Sequence, residues 1–281
     1  MIVVRTRGEL GRSLTDARHG DASLGLVPTM GHLHEGHLSL VDTARQGNDR
    51  VAVSIFVNPL QFGPSEDLDS YPRNEERDLE ALEARGADLV FVPTVEEIYP
   101  RGGSGVTVSP GPLEDRLCGA FRPGHFRGVL TVVAKLFGLF RPSAAVFGRK
   151  DFQQAVLIKH MVDDLDMGVR VVTAPIVREP DGLALSSRNA YLSADERGQA
   201  AGLHSGLMAA AKSYADGERN AMDLLAEARR VLDLHPLVEP QYLEAVDPLT
   251  LDPVERAASG TVIAVAAFCG RTRLIDNLEL P

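Results

Sequence analysis

The chain of 281 residues, 44% hydrophobic and 24% charged, is long enough for one large domain and a smaller one. Its formal net charge of −10 argues against a general nucleic-acid or anionic-membrane surface, so positive charge for an anionic ligand must be gathered locally. Cys118 and Cys269 are too few for a disulfide framework, and free thiols in a reducing cytoplasm are expected.

Residues 1–7 lack the apolar core and cleavage pattern of a signal peptide. Residues 24–27 read as a buried strand that runs through Pro28, Thr29, Met30 and Gly31 into His32, Leu33, His34, Glu35, Gly36 and His37. Leu38, Leu40, Val41 and Ala44 follow at helical spacing. The stretch is therefore read as strand, tight turn and helix, with His34 and His37 on either side of the helix start. A first helical turn offers unpaired N–H groups and the positive end of the macrodipole, and two imidazoles there suit a polyphosphate. A metal pair is the competing reading. Helical zinc pairs usually sit four apart and need a third ligand, whereas these sit three apart with no second histidine cluster in the chain.

Residues 51–57 form a near-continuous apolar run, as in a buried parallel strand. The proline-flanked loop after it carries Asn58 and Gln61, amides able to orient a hydroxyl and a carboxylate, or simply to decorate a turn. Glu66, Asp67 and Asp69 have no calcium-loop spacing and are expected to solvate an exposed flap. Pro72 is predicted just inside a helix with Glu75 and Glu76 in its first turn, Leu79 and Leu82 on its buried face and Gly86 at its end. Residues 88–93 read as a strand. Residues 101–112 read as an irregular excursion without the lysine and helix of a phosphate loop.

The motif at 122–128 precedes an apolar helix ending near Arg141, which contains Lys135 and falls short of the ~20 residues that span a bilayer. Another strand is expected at 144–147, and residues 148–151 open the next helix. There Lys150 is either a phosphate-binding charge or a solvated lysine, and Asp151 and Gln154 fit a capping box. A strand at 169–174 completes residues 1–174 as an α/β, doubly wound parallel sheet. Ligands of such sheets lie beyond the strand carboxyl ends where the order reverses, and the loops at 28–37 and 148–154 both leave from such ends.

Residues 175–281 read as a smaller α+β domain. Asp181 and Gly182 signal a turn before Leu185, Ser186, Ser187 and Arg188, whose hydroxyls and guanidinium suit phosphate oxygens or an ordinary polar loop. A capping box at 193–196 opens a helix predicted to run to Tyr214, a second follows Gly217, and strands are expected at 241–246, 261–268 and 272–277.

Six blocks in this order, at 28–37, 53–62, 71–73, 122–129, 147–154 and 181–189, resemble the pantothenate synthetase (pantoate–β-alanine ligase) family over nearly the whole chain. H-x-G-H alone is shared with many nucleotidyltransferases and class I aminoacyl-tRNA synthetases; the six together are far more specific. The resemblance implies a Rossmann-like fold of the HxGH nucleotidyltransferase type, with the small domain closing over the site. It implies that the carboxylate of (R)-pantoate attacks the α-phosphate of Mg-ATP, releasing pyrophosphate, and that β-alanine then attacks the enzyme-held pantoyl adenylate and releases AMP.

By the same likeness Met30, Gly31, His32, Leu33, His34, Glu35, Gly36 and His37 line the ATP site, with His37 as proton donor and His34 beside the phosphates. Gly148, Arg149, Lys150, Asp151, Val177, Leu185, Ser186, Ser187 and Arg188 complete it, and His34, His37 and Lys150 are expected to form a cationic cradle. Gln61 and Gln154 hold pantoate, and Gln61 also lies near β-alanine. Mg²⁺ accompanies ATP with no assigned protein ligand. A cytoplasmic homodimer is implied, without nucleic-acid or membrane partners. Arg149 stands where relatives usually carry Glu, a change that would be neutral at the surface. The rival readings are another adenylyl- or cytidylyltransferase acting on a phosphorylated substrate, a tRNA synthetase fragment lacking an anticodon-binding extension, and a nucleotide sensor without catalysis.

Overall fold

A computed structural model describes residues 1–17, 22–64, 66–103 and 105–281, which fall into two compact units. The first comprises Met1–Glu114, Arg122–Arg149 and Gln154–Pro175. It opens with β1 (Ile2–Val4), α1 (Arg7–Ala17), β2 (Leu24–Thr29), α2 (Glu35–Gln46) and β3 (Arg50–Ile55). α3 (Glu75–Ala84), β4 (Leu89–Phe91), α4 (Val95–Ile98) and the short β5 (Pro100–Gly103) follow. After α5 (Leu117–Phe121), which belongs to the second unit, come α6 (His125–Phe140), β6 (Ala144–Gly148), α7 (Phe152–Asp164) and β7 (Arg170–Ala174).

Among the described residues six of these strands pair in the order β1-β4-β3-β2-β6-β7, every pairing parallel. The central strands are apolar on both faces because both faces are covered. Leu38, Leu40, Val41 and Ala44 of α2 and Leu82 of α3 pack on Val27, Val53, Val90 and Val146. Phe91 points the other way from Val90 and meets Phe140 of α6 edge-on at 5.9 Å. From β2 the chain builds β3 and β4 on one side, then returns to build β6 and β7 on the other. The order therefore reverses between β2 and β6, and a crevice for ligand is expected at their carboxyl ends.

α3 starts at Glu75 rather than at Pro72. The Asn74 side chain caps it, accepting from the Arg77 N–H at 3.2 Å, and this leaves the proline outside. Among the described residues no helix is long and apolar enough to cross a membrane.

The second unit comprises Asp115–Phe121, Lys150–Gln153 and Ile176–Pro281. Its helices α8 (Ala194–Ala200), α9 (Gly202–Ala215) and α10 (Ala221–Leu232) precede β8 (Val238–Val246), β9 (Val262–Cys269) and β10 (Thr272–Glu279), an antiparallel sheet ordered β10-β9-β8. The helix expected to run unbroken to Tyr214 turns at Ala201, where Gly202 settles against the His235 ring; a Cβ there would stand 2.4 Å from His235 Cδ2. Two segments from before residue 175 join this unit through Arg116 to Asp252 at 2.6 Å, Cys118 Sγ to the Tyr242 hydroxyl at 3.2 Å and Asn277 to the Lys150 carbonyl at 3.1 Å. Buried Gln153 ties the two segments to each other. Its amide donates to the Arg116 carbonyl at 2.7 Å and accepts from the Gly119 N–H at 3.3 Å.

Candidate active site

β2 ends in a turn that most residues resist. Gly31 has φ 83° and His32 φ 50°, both left-handed. Buried Asp78, from α3, holds this turn by accepting from the His32 and Leu33 N–H groups, each at 2.7 Å. A Cβ on Gly31 would stand 3.0 Å from both Asp78 Oδ2 and Ile55 Cγ2, so the turn is packed from two sides. The Leu33 side chain is sunk in the core, so only its backbone can meet a nucleotide. Asp78 was not foreseen. Its signal was a carboxylate four residues before Leu82, on the apolar stripe of α3. Asp78→Asn puts an N–H₂ against one of two backbone donors; denaturant titration should show a loss of about 2 kcal/mol. Unchanged stability would mean the turn stands without it.

The turn delivers His34 to the N-cap of α2 and His37 to the third helical position. His34 Nδ1 accepts from the Gly36 N–H at 3.1 Å, and His37 Nδ1 accepts from the His34 N–H at 3.4 Å. The ring centroids lie 4.1 Å apart. A ring that accepts at Nδ1 is neutral and carries its proton on Nε2. In this geometry each ring turns Nδ1 to the backbone and Nε2 away from it, at the positive end of a helix. A metal would need lone pairs that these rings direct, at Nδ1, to their own backbone. Glu35 pairs with Arg85 at 2.5 Å, and Arg85 with Asp42 at 2.6 Å, so the Glu35 carboxylate braces α2.

The second group is built on the turn Pro59–Gln61, capped by Asn58, whose Oδ1 accepts from the Leu60 N–H at 3.3 Å. α6 lies directly on this turn at Gly128: a Cβ there would be 2.1 Å from the Leu60 carbonyl oxygen. Gln61 Nε2 donates to Met30 Sδ at 2.9 Å, which joins two of the residues singled out from the sequence. A thioether is a weak acceptor, easily displaced by a carboxylate or hydroxyl.

Glu66 does not solvate a flap. It pairs with Arg122 through two contacts of 2.7 Å, and Arg122 meets His125 Nε2 at 3.0 Å while His125 Nδ1 donates to the Gln61 carbonyl at 2.8 Å. Burial alone would raise the Glu66 carboxyl; the guanidinium more than offsets it and holds the pKa below its ordinary value.

At the adjacent carboxyl end of β6, Gly148 lies beside Leu40 of α2, and Arg149 is half-buried. Burial lowers the Arg149 pKa from the ordinary guanidinium value, so the fully exposed position at which the change from Glu would be neutral is not the one it occupies. Gln154 is also half-buried in the first unit. Lys150 and Asp151 fall in the second unit, where buried Asn277 donates to the Lys150 carbonyl at 3.1 Å and Asp151 is exposed.

Val177 and Leu185 face each other across a hairpin, the Leu185 N–H donating to the Val177 carbonyl at 3.0 Å around a turn at Gly182. Arg178 clamps it through Asp276 at 2.6 and 3.0 Å. Ser186 caps the turn Ser187–Tyr191 by accepting from the Arg188 N–H at 3.3 Å, so Ser186, Ser187 and Arg188 sit on a built turn rather than a loose loop.

His204 lies beside this clamp. Burial first, then Arg178, lower its pKa below 6.5, while Asp276 opposes them. The unfolded chain then binds the extra proton first, so stability falls as pH drops through the unfolded value. The melting temperature should decline from about pH 7 to about pH 5.5, and His204→Gln should flatten that slope; an unchanged slope would count against it.

A family model for pantoate-beta-alanine ligase matches residues 2–279. The chain belongs to this family. A pantothenate synthetase of Thermoanaerobacter sp. is 52% identical over 278 residues, covering 99% of this chain and 98% of its own. Pantothenate synthetase 1 of Bradyrhizobium diazoefficiens is 50% identical over 284 residues, covering 100% and 98%. The crystal structure of the pantothenate synthetase from Thermus thermophilus superposes with a TM-score of 0.95 at 47% identity, covering all of both chains. A pantoate-beta-alanine ligase from Francisella tularensis, solved with beta-gamma ATP and beta-alanine, gives 0.80 at 32% identity, covering 99% and 97%. The fold of this pantoate–β-alanine ligase family member is thus the family's fold over its full length.

Proposed function

We propose that this chain condenses (R)-pantoate with β-alanine, using ATP and giving pantothenate, AMP and pyrophosphate. The observation that carries the reading is the pair of imidazoles, His34 and His37, capping the start of α2 at the carboxyl end of β2, where the strand order reverses. Family membership over the whole chain supports the choice of substrates.

In the first step a pantoate carboxylate oxygen bonds to the α-phosphorus of ATP as the bond to pyrophosphate breaks, leaving a pantoyl adenylate. In the second, the neutral β-alanine amine bonds to the acyl carbon, AMP departs with the electron pair of the cleaved C–O bond, and the ammonium proton passes to solvent. Such transfers depend mostly on alignment and charge stabilisation.

His34 and His37 are proposed to donate to the phosphates, with Lys150 as the mobile cation. Backbone groups of 30–37 and 148–151, together with Val177, Leu185, Ser186, Ser187 and Arg188, are proposed to complete the ATP contacts. Gln61 and Gln154 are proposed to hold pantoate, and Gln61 to lie near β-alanine. Uncharged amides there favour a hydroxy acid over a phosphorylated substrate. Among the described residues no three His, Cys, Asp or Glu side chains group to hold a metal. Mg²⁺ is proposed to arrive on the phosphates of ATP and to neutralise part of their charge. A cytoplasmic homodimer belongs to the same proposal, to be checked by sedimentation and fractionation.

Product analysis tests the reading. ATP, pantoate and β-alanine together should yield AMP, pyrophosphate and pantothenate in equal amounts, and omission of either carbon substrate should stop pantothenate formation. Release of ADP, or turnover with another acid in place of pantoate, would overturn it.

A further inference from the structure

Asn58 is buried and has every hydrogen-bonding position filled. Its Oδ1 accepts from the Leu60 N–H at 3.3 Å and from the Tyr99 hydroxyl at 2.8 Å. Its Nδ2 donates to the Gly128 carbonyl at 3.1 Å and to Gln61 Oε1 at 3.1 Å. A backbone N–H can only donate and a backbone carbonyl can only accept, so Leu60 and Gly128 fix which end of the Asn58 amide is oxygen. The Tyr99 hydroxyl must then donate, and Gln61 must turn its oxygen inward. What Gln61 sends outward is its N–H₂, resting on Met30 Sδ at 2.9 Å.

We propose that Tyr99 and Asn58 are positioning residues that hold the Gln61 carboxamide with its Nε2 toward the acid substrate. Asn58 has no capacity left for a ligand, so its contribution passes through Gln61 rather than by direct contact. Tyr99 supplies the shorter of the two bonds to Asn58 Oδ1; without it that oxygen keeps only the longer bond from Leu60, and the amide is held less tightly. The Tyr99 ring is buried, with Phe56 at 6.1 Å and the Lys135 ammonium 5.8 Å from its centroid, so the hydroxyl is held in place. Burial also raises the phenol pKa, which keeps it a proton donor at any pH where the enzyme works.

The inference rests on the reading that Gln61 contacts pantoate, and a double-mutant cycle keeps the two apart. Tyr99→Phe, which retains the ring, should raise KM for pantoate about five- to tenfold, with KM for ATP and β-alanine unchanged and the protein still folded, its melting temperature lowered only by the loss of one buried hydrogen bond. In a Gln61→Ala background the same change should add nothing, because its path is already cut. Asn58→Asp, which cannot donate to Gln61, should raise KM for pantoate more than Tyr99→Phe does. A Tyr99→Phe effect that adds in full to Gln61→Ala, that falls on all three substrates alike, or that is absent while Gln61→Ala is impaired, would overturn the positioning role. A Gln61→Ala enzyme with normal pantoate KM would overturn the underlying reading and this inference with it.

Discussion

Gly128→Ala should lower kcat/KM for pantoate about 100-fold, the penalty for a displacement near 1 Å at a reacting centre. The Gly128 position faces the turn that carries Gln61, and a methyl group there would stand 2.1 Å from the Leu60 carbonyl oxygen and 2.7 Å from the Gln61 nitrogen. Neither is the end of a flexible side chain, so α6 and the turn must part. The separation also pulls on the bond from Asn58 Nδ2 to the Gly128 carbonyl. Overpacking of this kind costs about 1–3 kcal/mol of stability, well short of unfolding a domain of this size. Steady-state kinetics beside a urea melt would separate the two effects. Wild-type pantoate KM in a folded Gly128→Ala protein would show that the turn tolerates the shift.

Substitution of His37 should divide its two roles. The ring accepts from the His34 N–H at Nδ1 and, by the proposed reading, donates to phosphate at Nε2. His37→Asn keeps an acceptor near the position of Nδ1 but loses the distal donor. His37→Gln does the reverse. Loss of one transition-state donor typically costs about 10²–10³ in rate, and loss of a helix cap about 1 kcal/mol. The adenylation rate should therefore rank wild type, then Gln, then Asn, whereas the melting temperature should rank Asn above Gln. Equal rates in the two variants would leave His37 a cap and nothing more.

Much of this was legible in the residues. Apolar runs at 51–55 and 144–147 can only be buried on both faces, which requires helices on both sides and hence a parallel sheet. The histidine turn was legible because Leu38, Leu40, Val41 and Ala44 set the helix phase. The protonation state of the rings was not, since it depends on which nitrogen meets the backbone. Asp78 and Tyr99 act on partners 45 and 41 residues away, which no local pattern names. Glu66 read as one of a solvated acidic group because its partner Arg122 is distant in sequence. The late start of α3 turned on a choice between Pro72 and Asn74, and the side-chain cap prevailed.

The most direct test of the account is exchange of labelled pyrophosphate into ATP without β-alanine. With pantoate as the only acid, label should enter ATP at a rate comparable to turnover, because the adenylate forms and reverts before any amine arrives. His37→Asn should slow that exchange as much as it slows the overall reaction. Exchange that appears only once β-alanine is added, or none with pantoate at all, would contradict an adenylate made by this chain.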